Sequence, residues 1–192
     1  MINNYPNESA TLVEEATKTE AKNTLLFVHG YGSDRNSRKF QDLKNYFGKE
    51  YHCYCMEWVV YSDIPYLLNL AVQKCENALN LVVVGDSTGA NLAYQLREMR
   101  NHADDKLILL SPLLDIAKRK RDIPFPDTFC AHLLKIENPA NALVVASKND
   151  EVIDQQSLFD EADKKFTLME VDDGHRLEKF HDYLHAIEEF IK

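Results

Sequence analysis

From Thr24 onward, short apolar runs rich in β-branched residues alternate with longer stretches whose apolar residues recur at helical spacing. That alternation restricts the chain to βαβ units wound around a mainly parallel sheet. Six runs read as strands: residues 24–28, 51–57, 79–84, 106–110, 142–146 and 166–171. Several are apolar almost throughout, as strands covered on both faces must be. Between them, residues 38–47, 64–78, 90–100, 155–162 and 178–191 are predicted as helices; in the last, Phe180, Leu184, Ile187 and Ile191 form one stripe. Right-handed crossovers put every strand's C-terminal end on one edge, where ligands of open α/β sheets bind.

Two segments interrupt the alternation. Residues 1–23 are a polar lead-in whose Thr11-Leu12-Val13 is a candidate edge strand. Residues 111–141 carry Pro112, Pro124, Pro126 and Pro139 and are too long for an ordinary connection, so they are expected to form a lid or a small helical excursion. No repeat or linker-like composition divides the chain, and its 192 residues suit a single domain, 1–192. A net charge of −9 argues against a nucleic-acid or anionic-membrane surface. The one basic run, Lys118-Arg119-Lys120-Arg121, is flanked by Asp115 and Asp122 and reads as a solvated face, with an anionic-substrate contact as the lesser alternative. The N-terminal residues show neither a basic nor an apolar leader region, so a cytoplasmic location is expected. Cys53, Cys55, Cys75 and Cys130 lack paired metal-site spacing and are expected as buried free thiols.

Chemistry concentrates where the few glycines fall. Gly85-Asp86-Ser87-Thr88-Gly89 follows an apolar strand and opens a helix, so Ser87 sits on a sharp turn with its hydroxyl exposed. His29-Gly30-Tyr31-Gly32-Ser33 follows the first strand, where a loop N–H can point at a reacting carbonyl oxygen. Tyr31 and Thr88 are therefore the expected oxyanion-hole donors through their backbone N–H groups. A fortuitous glycine-rich turn is the bland alternative for either loop.

A serine hydroxyl needs a general base, and the base needs an acceptor on its other nitrogen. Of seven histidines, His175 alone sits in a Gly-His turn between a strand and the last helix. His29 borders the oxyanion loop and is a candidate for shaping an acyl pocket, but it precedes the serine. For the acid, Asp150 follows the strand 142–146 and gives the order Ser87, Asp150, His175. Asp154, Asp172 and Asp173 are its rivals, Asp154 also being a candidate helix cap. Asp86 reads as a turn-stabilising acceptor for nearby backbone N–H groups.

Over roughly residue 24 to the C-terminus, these motifs resemble the α/β-hydrolase superfamily, and especially its small YqiA-like esterases. The likeness rests on Val28-His29-Gly30-Tyr31 with Ser33, Ser37 and Leu43-Lys44; the elbow at Ser87; Asp150-Glu151-Val152-Ile153-Asp154; and Gly174-His175 with Phe180-Asp182-Tyr183. The elbow, Asp86-Ser87-Thr88-Gly89-Ala90-Asn91-Leu92-Ala93, is also similar to those of hormone-sensitive-lipase-type enzymes, whose His-Gly-Gly-Gly loop is absent here. The resemblance implies a three-layer α/β-hydrolase fold with a small lid insertion, a Ser87, Asp150 and His175 triad, and hydrolysis of a small-molecule short-acyl ester. Such a reaction requires no metal or cofactor. A thioesterase, peptidase or acyltransferase with the same triad, and a non-catalytic ligand-binding protein of this fold, are the alternatives.

Overall fold

The computed structural model describes residues 22–122 and 124–192, so the candidate strand at Thr11–Val13 lies outside the described residues. Six strands form one sheet: β1 (Thr24–Val28), β2 (His52–Met56), β3 (Leu81–Asp86), β4 (Lys106–Leu110), β5 (Ala142–Ala146) and β6 (Thr167–Glu170). Their order is β2-β1-β3-β4-β5-β6, and every pairing is parallel. The chain turns one way from β1 to β2 and the other way to β3, so the switch point lies between β1 and β3, where α/β sheets open a crevice. Val28 registers with Gly85, and Asp86 with Leu110, which sets the loop after β1 beside the loop after β3.

Side chains on the central strands alternate between two cores, the period-2 consequence of the pleat. On one face Leu26, Val28, Val83, Leu107, Leu109 and Val144 pack under α2 (Ile64–Lys74) and α3 (Thr88–Arg100). On the other, Leu25, Phe27, Val82, Val84, Ile108 and Val145 pack under α1 (Arg38–Phe47) and α6 (Phe180–Ile191). Three layers result. α3 approaches β3 so closely that a Cβ at Gly85 would lie 2.6 Å from that of Ala93.

Element order agrees with the sequence reading, and the ends differ for local reasons. β3 runs on through Gly85 and Asp86 because its ladder with β4 continues to Leu110. α2 stops at Lys74, where the N–H of Cys75 is satisfied by the carbonyl groups of Ala71 and Val72. The segment 111–141 makes a small helical excursion with a 3-10 turn (Ile116–Lys118) and the short helix α4 (Asp127–Cys130), followed after β5 by α5 (Gln156–Asp160). Its Leu113, Leu114, Phe129 and Ile136 are buried and complete the core instead of forming an apolar canopy, and Phe125 meets Tyr31 edge to face at 5.1 Å. Cys75 is buried, whereas Cys53, Cys55 and Cys130 are half-buried; all four are free. Among the described residues no helix is long and apolar enough to cross a membrane.

Candidate active site

Ser87 stands between β3 and α3 with φ +53°, a conformation that costs an ordinary residue roughly 1–3 kcal/mol and persists only where its surroundings enforce it. Here its N–H donates to the Leu110 carbonyl at 2.9 Å, and its own carbonyl accepts from Leu113 at 3.0 Å and Ala90 at 3.1 Å. Two glycines admit neighbouring backbone: a Cβ on Gly89 would overlap the Val28 and His29 carbonyl oxygens, and one on Gly30 would lie 3.3 Å from the Ser87 Cβ.

His175 and Asp150 arrive from the loops after β6 and β5. His175 Nε2 is 3.0 Å from Ser87 Oγ, and its Nδ1 is 2.8 Å from Asp150 Oδ2. An ionised carboxylate only accepts, so Nδ1 carries the proton and Nε2 is left to accept from the serine hydroxyl. Asp150 is buried, with its Oδ1 taking the N–H groups of Val152 (2.8 Å) and Ile153 (2.9 Å) and its Oδ2 also taking Gln155 Nε2 at 3.2 Å. Burial pushes its carboxyl up, but the His175 hydrogen bond and charge, with the two N–H donors, outweigh that and hold it below the ordinary carboxylate range.

That depression has a definite sign. A carboxyl more acidic in the folded than in the unfolded chain adds stability above the unfolded value, and the gain disappears as pH falls through the folded one. Urea unfolding between pH 6 and pH 3 should therefore show stability falling on the acid side, with a shallower slope in Asp150→Asn. An equal slope in the variant would mean that Asp150 takes no part.

The three expected residues are thus brought together. The rival acids are occupied elsewhere. Asp154 takes the Gln156 N–H and pairs with Lys118, and Asp172 takes Asn149 Nδ2. Asp173 receives the N–H groups of Gly174, Glu178 and Lys179 and the Tyr183 hydroxyl, which organises the histidine loop. Thr88 is the first residue of α3, where an N–H has no partner within the helix. Tyr31 lines the same cleft of about 460 Å³ as Ser87 and His175. His29 is buried, stacked on Trp58 and bonded to its backbone N–H through Nε2 and to the Gly30 carbonyl through Nδ1. It shapes the junction of β1 and β2 and is not part of the cleft lining.

Est1E from Butyrivibrio proteoclasticus superposes with a TM-score of 0.69 at 15% identity, covering 90% of this chain and 88% of that one. The chain has the α/β-hydrolase fold. A serine hydrolase without a lid from Xanthomonas campestris matches this hydrolase fold at TM-score 0.59 and 15% identity, covering 91% of this chain and 84% of that one. A monoacylglycerol lipase from Paleococcus ferrophilus does so at 0.65 and 14%, covering 89% and 96%. Residues 123–192, which carry Asp150 and His175, match the sequence model of an uncharacterised protein family, UPF0227, in accord with the resemblance to YqiA-like proteins. No curated protein matches the sequence significantly.

Two expectations about this hydrolase-fold chain are corrected. Among the described residues no neighbouring backbone N–H donates to the Asp86 side chain; its Oδ1 accepts from Lys39 Nζ at 2.6 Å, because α1 packs its first turn against the end of β3. The basic run is not simply a solvated face. Asp154 N–H donates to the Lys118 carbonyl and Lys120 N–H to the Val152 carbonyl, both at 2.7 Å, while Lys120 Nζ reaches the Asp150 carbonyl at 2.6 Å. The run is a strap across the acid loop. Arg38 was also missed: its guanidinium donates to the carbonyl groups of Arg176, Leu177 and Glu178, joining α1 to the histidine loop. None of these partners is near its mate in sequence, so no local spacing signals them.

If Ser87, His175 and Asp150 act together on an ester and the strap holds Asp150 in place, Lys120→Met should lower kcat for a neutral ester by of the order of tenfold with KM little changed, less than the ~10² that a 1 Å misplacement can cost. Lys120→Arg should recover most of it. Equal losses in both variants would instead mark a general loss of folding.

Proposed function

We propose that this protein is a serine esterase that cleaves short-acyl carboxylic esters through an acyl-enzyme. The observation that carries the reading is the unbroken line from buried Asp150 through His175 to the Ser87 hydroxyl on a strained turn. Structural neighbours described as a serine hydrolase and a monoacylglycerol lipase support it.

In the first step Ser87 Oγ attacks the ester carbonyl carbon while its proton passes to His175 Nε2, and Asp150 stabilises the imidazolium. The carbonyl oxygen becomes an oxyanion, received by the N–H groups of Tyr31 and Thr88 with the favourable end of the α3 dipole behind them. Collapse breaks the carbon–oxygen bond, and the departing alcohol takes the proton from Nε2. Water then attacks the acyl-enzyme, giving its proton to Nε2, and the second collapse returns the proton to Ser87 and frees the acid. Each oxyanion donor is worth ~10²–10³ in rate.

A fluorophosphonate should add one adduct mass at Ser87, and p-nitrophenyl acetate and butyrate should both turn over. A folded protein that is neither labelled nor active would replace this reading with a non-catalytic binding protein.

A further inference from the structure

The cleft beside Ser87 is lined in part by a buried ion pair. Lys39 comes from the first turn of α1 and Asp86 from the end of β3. Their side chains are only 9% and 12% exposed, and the pair lies beside the residue proposed to react. An ammonium has three N–H donors. Among the described residues Asp86 is its one acceptor, so two donors stay open, and Lys39 lines the cleft.

Stability alone is a poor reason for such a pair. Burying two charges costs desolvation that their attraction must repay, and apolar residues of similar volume commonly do as well or better. α1 is already anchored by Phe40, Leu43 and Phe47 in the core.

The charge around the cleft points the same way. Its lining includes three cations, Arg38, Lys39 and Arg176, against two acids, Asp86 and Glu178, on a chain whose net charge is −9. Arg38 and Lys39 have carboxylate partners. Arg176, next to His175, is exposed, and among the described residues it has no carboxylate within ion-pair distance. A cationic recess in an acidic protein concentrates anions locally. Tyr31 is the one large side chain with an apolar body in the lining, where a long alkyl chain would find few partners.

We infer that Lys39 and Arg176 select an ester bearing a carboxylate close to its scissile carbonyl. This rests on the reading of Ser87 as nucleophile. The carboxylate completes the open donors of Lys39 in charge-assisted hydrogen bonds and balances Arg176.

The test compares 4-nitrophenyl hemiglutarate with 4-nitrophenyl butyrate, which share a leaving group, as a ratio of kcat/KM. Arg176→Glu should lower the ratio at least tenfold. The double variant Lys39→Met with Asp86→Asn, which leaves no buried charge unpaired, should lower it by about the same factor. Raising salt should lower the wild-type ratio. If the double variant fails to fold, the exposed Arg176→Glu and the salt series decide. A second pair, 4-acetoxybenzoate against phenyl acetate, moves the carboxylate to the leaving group; a fall confined to this pair would place the anion there. Ratios unchanged in both pairs overturn the proposal while butyrate turnover keeps the esterase reading. A wild type that hydrolyses no ester and takes no fluorophosphonate label removes both.

Discussion

Ser87→Ala should lose fluorophosphonate labelling completely and reduce p-nitrophenyl butyrate turnover by roughly 10⁴-fold or more. The size follows from what the substitution removes. On the proposed mechanism His175 Nε2, 3.0 Å from the hydroxyl, would lose the group whose proton it accepts, and the Asp150 contact 2.8 Å away on Nδ1 would have nothing left to activate. Residual rate above water would come from the oxyanion donors and binding alone, since members of such a triad act as a unit. Relief of the +53° φ is no part of the effect, because alanine meets the same backbone penalty as serine. The variant should therefore stay folded, which a matched circular-dichroism melt would check. Butyrate turnover at the wild-type rate in folded Ser87→Ala would remove the serine from the mechanism.

Gly89→Ala should be the most damaging of the glycine-to-alanine changes at the elbow. The added Cβ falls on the carbonyl oxygens of Val28 and His29, which are backbone atoms of the β1 end and cannot rotate away as a side chain could. Relief requires α3 to withdraw from the sheet, which would disturb the Leu92, Ala93 and Leu96 packing together with the Ser87 turn. A loss above about 3 kcal/mol is expected, beyond ordinary overpacking, with poor soluble yield or a sharply lowered Tm. Activity should fall in any folded fraction, because the same shift moves the Thr88 N–H. Gly32→Ala is the contrasting control: nothing lies within 4 Å of its added carbon, and the penalty there comes from a φ of +70° alone. Similar melts for Gly89→Ala and wild type would show that the elbow has more room than its contacts imply.

Much of this architecture was readable because it is encoded locally. β1, β4 and β5 end where the apolar runs end, and α1 spans the expected residues with Ser37 at its N-cap. The elbow was legible because Gly85 and Gly89 are both required by close backbone approach on either side of one serine. The ends of β3 and α5 were not, since ladder continuation and tertiary packing outweigh propensity there. The apolar residues of the segment 111–141 were readable as apolar, but whether they would cover a pocket or fill the core depended on which neighbours had room for them.

By itself the sequence determined the alternating order of elements, the strained serine turn, and the candidates Asp150 and His175, because each follows from periodicity or from the chemistry of a few adjacent residues. Only the tertiary structure decided which carboxylate meets His175, that Lys39 is buried on Asp86, that Arg38 holds the histidine loop, and that Lys118–Arg121 strap the acid loop. Those pairs are brought together by parallel register and by packing α1 against the sheet. A contact between groups tens of residues apart leaves no trace in local spacing, so only the closed fold could choose among them.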